Sequence, residues 1–248
     1  RILSSAASDV YKRQILMALG LKKQNVKQDI ICLITKDNLI YKEILEKIFD
    51  FVYEIPYISS IKHDEDTILI SEKICKPNDS NNDFYTKFNI FNKKILNYKK
   101  IIYIDSDLIP IRNFEKLFEY QTPAGWLEKD NNGAIVWGHW NFEENQIIPD
   151  RFTNQLCKYN NCINAGLLVI EPDNIRFNIL IEKLQNYEKF KINHLGGFNK
   201  YGYFEKDFYQ YYDQSFLTHE FSGNWHYVNA LYNTWSFDDF DIFGIHMA

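Results

Sequence analysis

Two carboxylates sit where an apolar run breaks. Residues 101–110 read IIYIDSDLIP, so Asp105 and Asp107 follow four strand-forming residues and precede Leu-Ile-Pro. A buried charge is expensive unless a counter-ion, a metal or a proton compensates it. Something cationic is therefore expected beside this pair. In an extended chain residues two apart point to the same side, so the two acids can converge on one ion while Ser106 faces away. Hard carboxylate oxygens suit Mg²⁺ or Mn²⁺, ions that commonly carry a phosphate as well. A metal gripping a diphosphate leaving group is the sharp reading; a solvated turn is the ordinary setting of the same tripeptide.

The elements that must position such a pair follow from periodicity. Residues 15–24, ILMALGLKKQ, carry a helical apolar face and end in lysines. DIICLIT (29–35) reads as a central strand, NLIYKEILEKIF (38–49) as an amphipathic helix and FVYEI (51–55) as a second strand. This alternation favours an α/β fold with a parallel sheet and covering helices. Residues 59–83 are polar and read as a long loop. YTKFNIFNKKILNY (85–98) reads as a helix leading into the strand KKIIYI (99–104). Asn113 is placed to cap a short helix NFEKLF, and residues 122–151 show no clear period. Residues 162–170 form a strand that turns at Glu-Pro-Asp into an amphipathic helix. EKDFYQYYDQSFLTHEF (205–221) reads as another helix and DIFGIH (241–246) as a last strand.

The 248 residues, 46% of them hydrophobic, suffice for one large α/β domain. Twenty-eight basic and 33 acidic residues are interspersed, with a net charge of -5 and no basic stripe, which argues against nucleic acid and anionic membrane as partners. No stretch approaches the roughly 20 apolar residues of a membrane span. Cys32, Cys75, Cys157 and Cys162 show neither zinc-site nor disulfide-framework spacing. The opening RILSSAASDVYKRQ is aperiodic and leader-like, so residues 1–14 are set aside from the fold. A native start is expected to be missing, and the stop soon after a strand-like run suggests a cut at the other end as well. The compartment stays open, with the cytoplasm as default.

The stretch YTKFNIFNKKILNYKKIIYIDSDLIPIRNFEKLFE resembles the glycogenin-like retaining glycosyltransferases, glycosyltransferase family 8. In that family a Tyr/Phe-Thr-Lys helix leads into a strand and an Asp-x-Asp metal motif. Three further blocks follow in order: INAGLLVIEPD (163–173), YYDQSFLT (211–218) and GIHMA (244–248). The resemblance spans residues 15–248. It implies a single GT-A type nucleotide-diphospho-sugar transferase fold, with a mixed, mostly parallel sheet flanked by helices.

Carried over residue by residue, it implies that Asp105, Asp107 and His246 bind Mn²⁺ or Mg²⁺, which clamps the diphosphate of a UDP-sugar. Lys87, Ser106, Asn164, Ala165 and Gly166 join the two acids in holding the donor. Asp213 and Gln214 reach the transferred sugar and the acceptor. The implied chemistry is a front-face substitution in which the departing phosphate helps deprotonate the acceptor, so Asp213 positions the sugar instead of attacking it. The acceptor is a carbohydrate or a protein.

Departures from the family pattern fall at the ends. Its first strand and uracil-holding loop are replaced by the leader, and the lysine expected beyond the late histidine lies past Ala248. The insertion AGWLEKDNNGAIVWGHWNFEENQIIPD carries Trp126, Trp137, His139 and Trp140, which could stack on an acceptor sugar or form a satellite core. Two other functions fit parts of the sequence. A haloacid-dehalogenase-like phosphatase would use the same tripeptide with FDDFD (237–241), although Ile109 stands where that family has threonine or valine. A nucleotide-sugar binder without turnover is the second.

Overall fold

In the computed structural model the described residues are 7–72, 83–127, 142–153, 163–186, 212–233 and 244–246. The first helix begins earlier than its periodicity announces: α1 runs Ala7–Lys23, eight residues into the stretch set aside as a leader. Its last turn carries Lys22 and Lys23, cations that favour a helix C-terminus. Asn25, at φ 53, ends it in the left-handed conformation asparagine tolerates. Then β1 (Ile31–Ile34) pairs in parallel with β2 (Phe51–Glu54). Between them the expected amphipathic helix is reduced to a tight 3₁₀ turn, Lys36–Tyr41, and a single turn α2, Lys42–Leu45. Leu45 is the one buried residue of α2, while Ile40 and Ile44 face solvent. Leu45 and Phe49 are nonetheless buried in the cluster beneath α1, with Leu39, Tyr41 and Ile48 partly buried against them.

Within the expected loop, β3 (Ile58–Ser59) and β4 (Ile68–Leu69) form a short parallel pair. Phe84–Phe91 is a 3₁₀ helix instead of the first half of an α-helix; every residue from Tyr85 to Phe91 is buried. Tertiary bonds shape it: Thr86 Oγ1 accepts from Ile58 N–H at 3.1 Å, and Asn89 Nδ2 donates to Pro56 O at 2.9 Å. Surroundings that bond and bury every residue override helix propensity.

The central sheet follows: β5 (Ile101–Ile104), β7 (Ala124–Leu127), β8 (Ile163–Ile170) and β9 (His226–Tyr227), in the order β5-β8-β7-β9. β8 runs antiparallel to β5 and β7, and β9 parallel to β7, which makes the sheet mixed. β6 (Leu108–Pro110) pairs antiparallel with β10 (Gly244–His246). Sequence periodicity missed β6 and β7, which are three and four residues long.

All eight residues of β8 are buried because both faces of the sheet are covered. Leu168 and Ile170 join Phe88, Phe91, Phe216 and Trp225 in one cluster, while Leu167 and Val169 join Leu108, Leu117 and Trp126 in another. α3 (Asn174–Gln185) and α4 (Tyr212–Glu220) contribute to the first. The turn expected at Glu-Pro-Asp starts α3, where the Asp173 carboxylate accepts from Arg176 N–H at 2.7 Å. A third cluster joins Met17 and Ala18 of α1 to Cys32 and Ile34 of β1. Among the described residues β1 bonds only to β2 and β5 only to β8, and their other edges line one cavity of about 430 Å³ beneath Met17 and Leu21 of α1.

Candidate active site

The site begins where β5 ends. The ladder between β5 and β8 continues one residue past the strand, with Asp105 N–H donating to Gly166 O at 2.8 Å. That bond sets the first acid of the Asp-Ser-Asp run beside the Asn-Ala-Gly run. The chain then folds back, Leu108 N–H donating to Asp105 O at 3.1 Å, so residues 105–108 form a hydrogen-bonded turn. This corrects the extended geometry from which convergence of Asp105 and Asp107 was expected. Ser106, expected to face away from the ion, is buried and lines the cavity under α1. Both acids are buried all the same, at 7% and 6% exposure.

Lys87 supplies the expected cation. Its Nζ lies 2.7 Å from Asp213 Oδ2 and 3.5 Å from Asp105 Oδ2, and donates to Ala165 O at 3.4 Å. One ammonium thus ties the 3₁₀ helix, β5, β8 and α4 together at the site. Tyr103, two residues before Asp105 and on the same side of the strand, donates its hydroxyl to Asp105 Oδ1 at 2.5 Å. Its ring lies 5.5 Å from the Lys87 ammonium, within cation–π range.

These contacts fix the protonation states. Asp105 is held well below the usual carboxylate range: burial alone would raise it, the Lys87 ammonium is the largest influence that lowers it, and the Tyr103 hydroxyl adds to that. Burial would lower Lys87, but Asp105 and Asp213 outweigh it and hold the ammonium above its ordinary value. The Tyr103 hydroxyl is pushed up by burial and by the Asp105 charge, so it stays protonated and donates.

The Asn-Ala-Gly run is held from two directions. Ala165 N–H donates to Gln214 Oε1 at 2.9 Å, and Gly166 N–H donates to the Asn164 side-chain oxygen at 2.8 Å. That oxygen also accepts from Asn233 Nδ2 at 3.0 Å. Gly166 has no room for a side chain, because a Cβ there would lie 2.9 Å from Asn164 Oδ1 and 3.4 Å from Asp105 Oδ2. Lys87, Asp105, Asn164, Ala165, Gly166, Asp213 and Gln214 are therefore brought into one bonded cluster, with Asp107 in the adjoining turn. Gln214 serves the backbone of β8 through its oxygen.

His246 lies on β10 with its backbone opposite Leu108, one residue past Asp107. Its side chain is outside the described residues. Trp126 is buried at 4% exposure in the second core cluster, which decides for packing at that position; Trp137, His139, Trp140 and residues 237–241 lie outside the described residues.

Among the described residues no group of three His, Cys, Asp or Glu side chains is gathered as a complete metal site. The donors present nevertheless fit a hard divalent ion. The buried charged groups of the site are three carboxylates, Asp105, Asp107 and Asp213, and one ammonium, Lys87. Such an excess of buried negative charge is the setting in which a divalent cation is stabilised. Sequence reading missed Tyr103 and Asn233. Strand alternation from Asp105 could have found the first; the second is 69 residues from Asn164 and gives no local signal.

Comparisons with known proteins converge on one group. A family model described as glycosyl transferase family 8 matches residues 6–239, a span that ends before His246. Uncharacterized protein R707 of Acanthamoeba polyphaga mimivirus is 26% identical over 88% of this chain and 65% of its own length. Inositol phosphorylceramide glucuronosyltransferase 1 of Arabidopsis thaliana is 26% identical over 47% of this chain and 16% of its own length. UDP-glucuronate:xylan alpha-glucuronosyltransferase 2 of the same plant is 25% identical over 90% of this chain and 27% of its own length. The chain thus spans under two thirds of the curated relatives it matches. Among solved structures, the galactosyltransferase LgtC in complex with donor and acceptor sugar analogues superposes with a TM-score of 0.56, at 12% identity, over 96% of this chain and 84% of that one.

Proposed function

The chain belongs to glycosyl transferase family 8, and from that premise we propose that it moves a hexose-like sugar from a UDP-sugar to a carbohydrate or protein acceptor, with retention at the anomeric carbon and dependence on Mn²⁺ or Mg²⁺. The observation that carries the reading is the Lys87 ammonium held between Asp105 and Asp213 at the end of β5. It sits beside Gly166, whose missing side chain lets Asn164 and Asp105 close up against the backbone of β8.

Asp105 and Asp107, with His246, are the residues that would hold the ion, which neutralises charge on a departing diphosphate when bound. Lys87 keeps Asp105 ionised and ready as a ligand, and its positive charge attracts the phosphate end of the donor. Asp213, pinned by Lys87 at 2.7 Å, accepts a hydrogen bond from a hydroxyl of the transferred sugar and so orients it. Gln214 holds the Ala165 amide with its oxygen, and its NH₂ in this reading donates to the sugar or the acceptor. Burial of the cluster excludes water, which favours transfer over hydrolysis.

The plant relatives are glucuronosyltransferases by name and LgtC is a galactosyltransferase. The test is therefore UDP release from UDP-glucose, UDP-galactose and UDP-glucuronate, with and without Mn²⁺, beside Asp107→Asn. Turnover with at least one donor, lost in chelator and in the folded variant, is expected. Equal turnover in chelator would remove the role given to the two acids. A rise in melting temperature with UDP and Mn²⁺ but no turnover would select the non-catalytic binder, and metal-dependent phosphate release without any need for UDP would select the phosphatase.

A further inference from the structure

Asn233 is fully buried and ends a one-turn helix, Ala230–Tyr232. Its place is fixed by its own backbone, with Asn233 N–H donating to Ala230 O at 3.0 Å, and by the Tyr232 ring set edge-on to Phe114 at 5.3 Å. From there its side chain reaches Asn164.

The orientation of both amides follows from donor logic. The Gly166 backbone N–H can only donate, so the Asn164 atom 2.8 Å from it is the oxygen. The Asn233 atom facing that oxygen must then be its nitrogen, at 3.0 Å. Two donors use both lone pairs of Asn164 Oδ1 and prevent the carboxamide from turning over. The Asn164 NH₂ is left presented away from them with its protons available. Meanwhile Asn233 Oδ1 is buried with no hydrogen-bond partner among the described residues. An acceptor left unmet in this way costs stability, so the residue is poorly explained as a mere packing element.

We propose that Asn233 is a positioning residue: it locks the Asn164 carboxamide so that its NH₂ donates to a hydroxyl of the donor's sugar, and thereby sets affinity for the sugar while leaving the UDP portion untouched. This rests on the proposed UDP-sugar reading and adds to it a residue that touches no substrate.

The experiment is a double-mutant cycle read by calorimetry in Mn²⁺, with UDP and with the UDP-sugar, among UDP-glucose, UDP-galactose and UDP-glucuronate, that the unmodified protein binds most tightly. Asn233→Ala and the near-isosteric Asn233→Asp are each expected to weaken UDP-sugar binding about tenfold, with UDP binding changed less than twofold. In an Asn164→Ala background, Asn233→Ala is expected to cause no further loss, because the group it positions is gone. Equal losses for UDP and UDP-sugar, or additive losses in the double variant, would overturn the proposal; so would an Asn164→Ala protein that binds the UDP-sugar normally. Asn233→Asp keeps the side-chain volume, so the cycle run with aspartate stands if the alanine variant fails to fold. Absence of UDP-sugar binding by the unmodified protein would instead bring down the functional reading itself, and is seen before any variant is made.

Discussion

Lys87 decides the electrostatics of the site, and its removal has two separable consequences. Its side chain is 9% exposed and those of its partners Asp105 and Asp213 are 11% and 7% exposed. Lys87→Met therefore leaves buried carboxylates without their cation, a change that typically costs about 3–5 kcal/mol. Urea denaturation should show that loss, and millimolar Mn²⁺ should recover part of it. The pH dependence has a defined sign. Asp105 is depressed in the folded state, so its contribution is complete above the unfolded carboxylate range and is lost as pH falls below about 4. Lys87 is raised, so its contribution is complete at and below neutral pH and is lost only as pH climbs past about 10. The unmodified protein should lose stability as pH falls below about 4 more steeply than Lys87→Met, whose Asp105 gains from protonation. Parallel acid limbs in thermal melts would contradict this account.

Elements bring those residues together through close backbone approaches. α1 meets β6 so tightly that a Cβ on Gly20 would lie 2.7 Å from the Pro110 carbonyl oxygen, a backbone atom that cannot swing aside. Gly20→Ala is expected to cost about 1–3 kcal/mol by overpacking. Because β6 follows the Asp105–Leu108 turn directly, that variant should also weaken Mn²⁺ binding, which calorimetry would register. The edges of β1 and β5 facing the 430 Å³ cavity are the second feature at this scale. That cavity is lined by Ile31, Leu33, Ile102 and Ile104 from the two strands.

At the scale of the whole molecule, the site joins segments from Lys87 to Asn233, so ligand binding and global folding are linked. A ligand present at a hundred times its dissociation constant stabilises by about 2.7 kcal/mol. UDP together with Mn²⁺ should raise the melting temperature by several degrees, and Asp107→Asn should abolish most of that rise without lowering the melting temperature of the free protein. Trp225, fully buried and donating its Nε1–H to Thr218 O at 3.2 Å, ties the end of α4 to the core. Trp225→Ala should destabilise by about 3–5 kcal/mol, and should impair UDP-sugar binding only as far as it unfolds the protein.

The amino-acid sequence by itself determined the α/β class, the strands at residues 31–34, 51–54, 101–104 and 163–170, and the order of the blocks that carry the site. Each of these is written in local apolar periodicity or in a short contiguous motif. It misjudged the helices at residues 38–49 and 85–98: the first packs Leu45 and Phe49 through short turns, and the second is buried and held by tertiary bonds over residues 85–91. Only the tertiary structure decided that Lys87 is the cation between Asp105 and Asp213, and that Asn233 stands behind Asn164. Those are contacts between residues far apart in the chain, and a hydrogen bond leaves no trace in sequence until folding brings its two ends together.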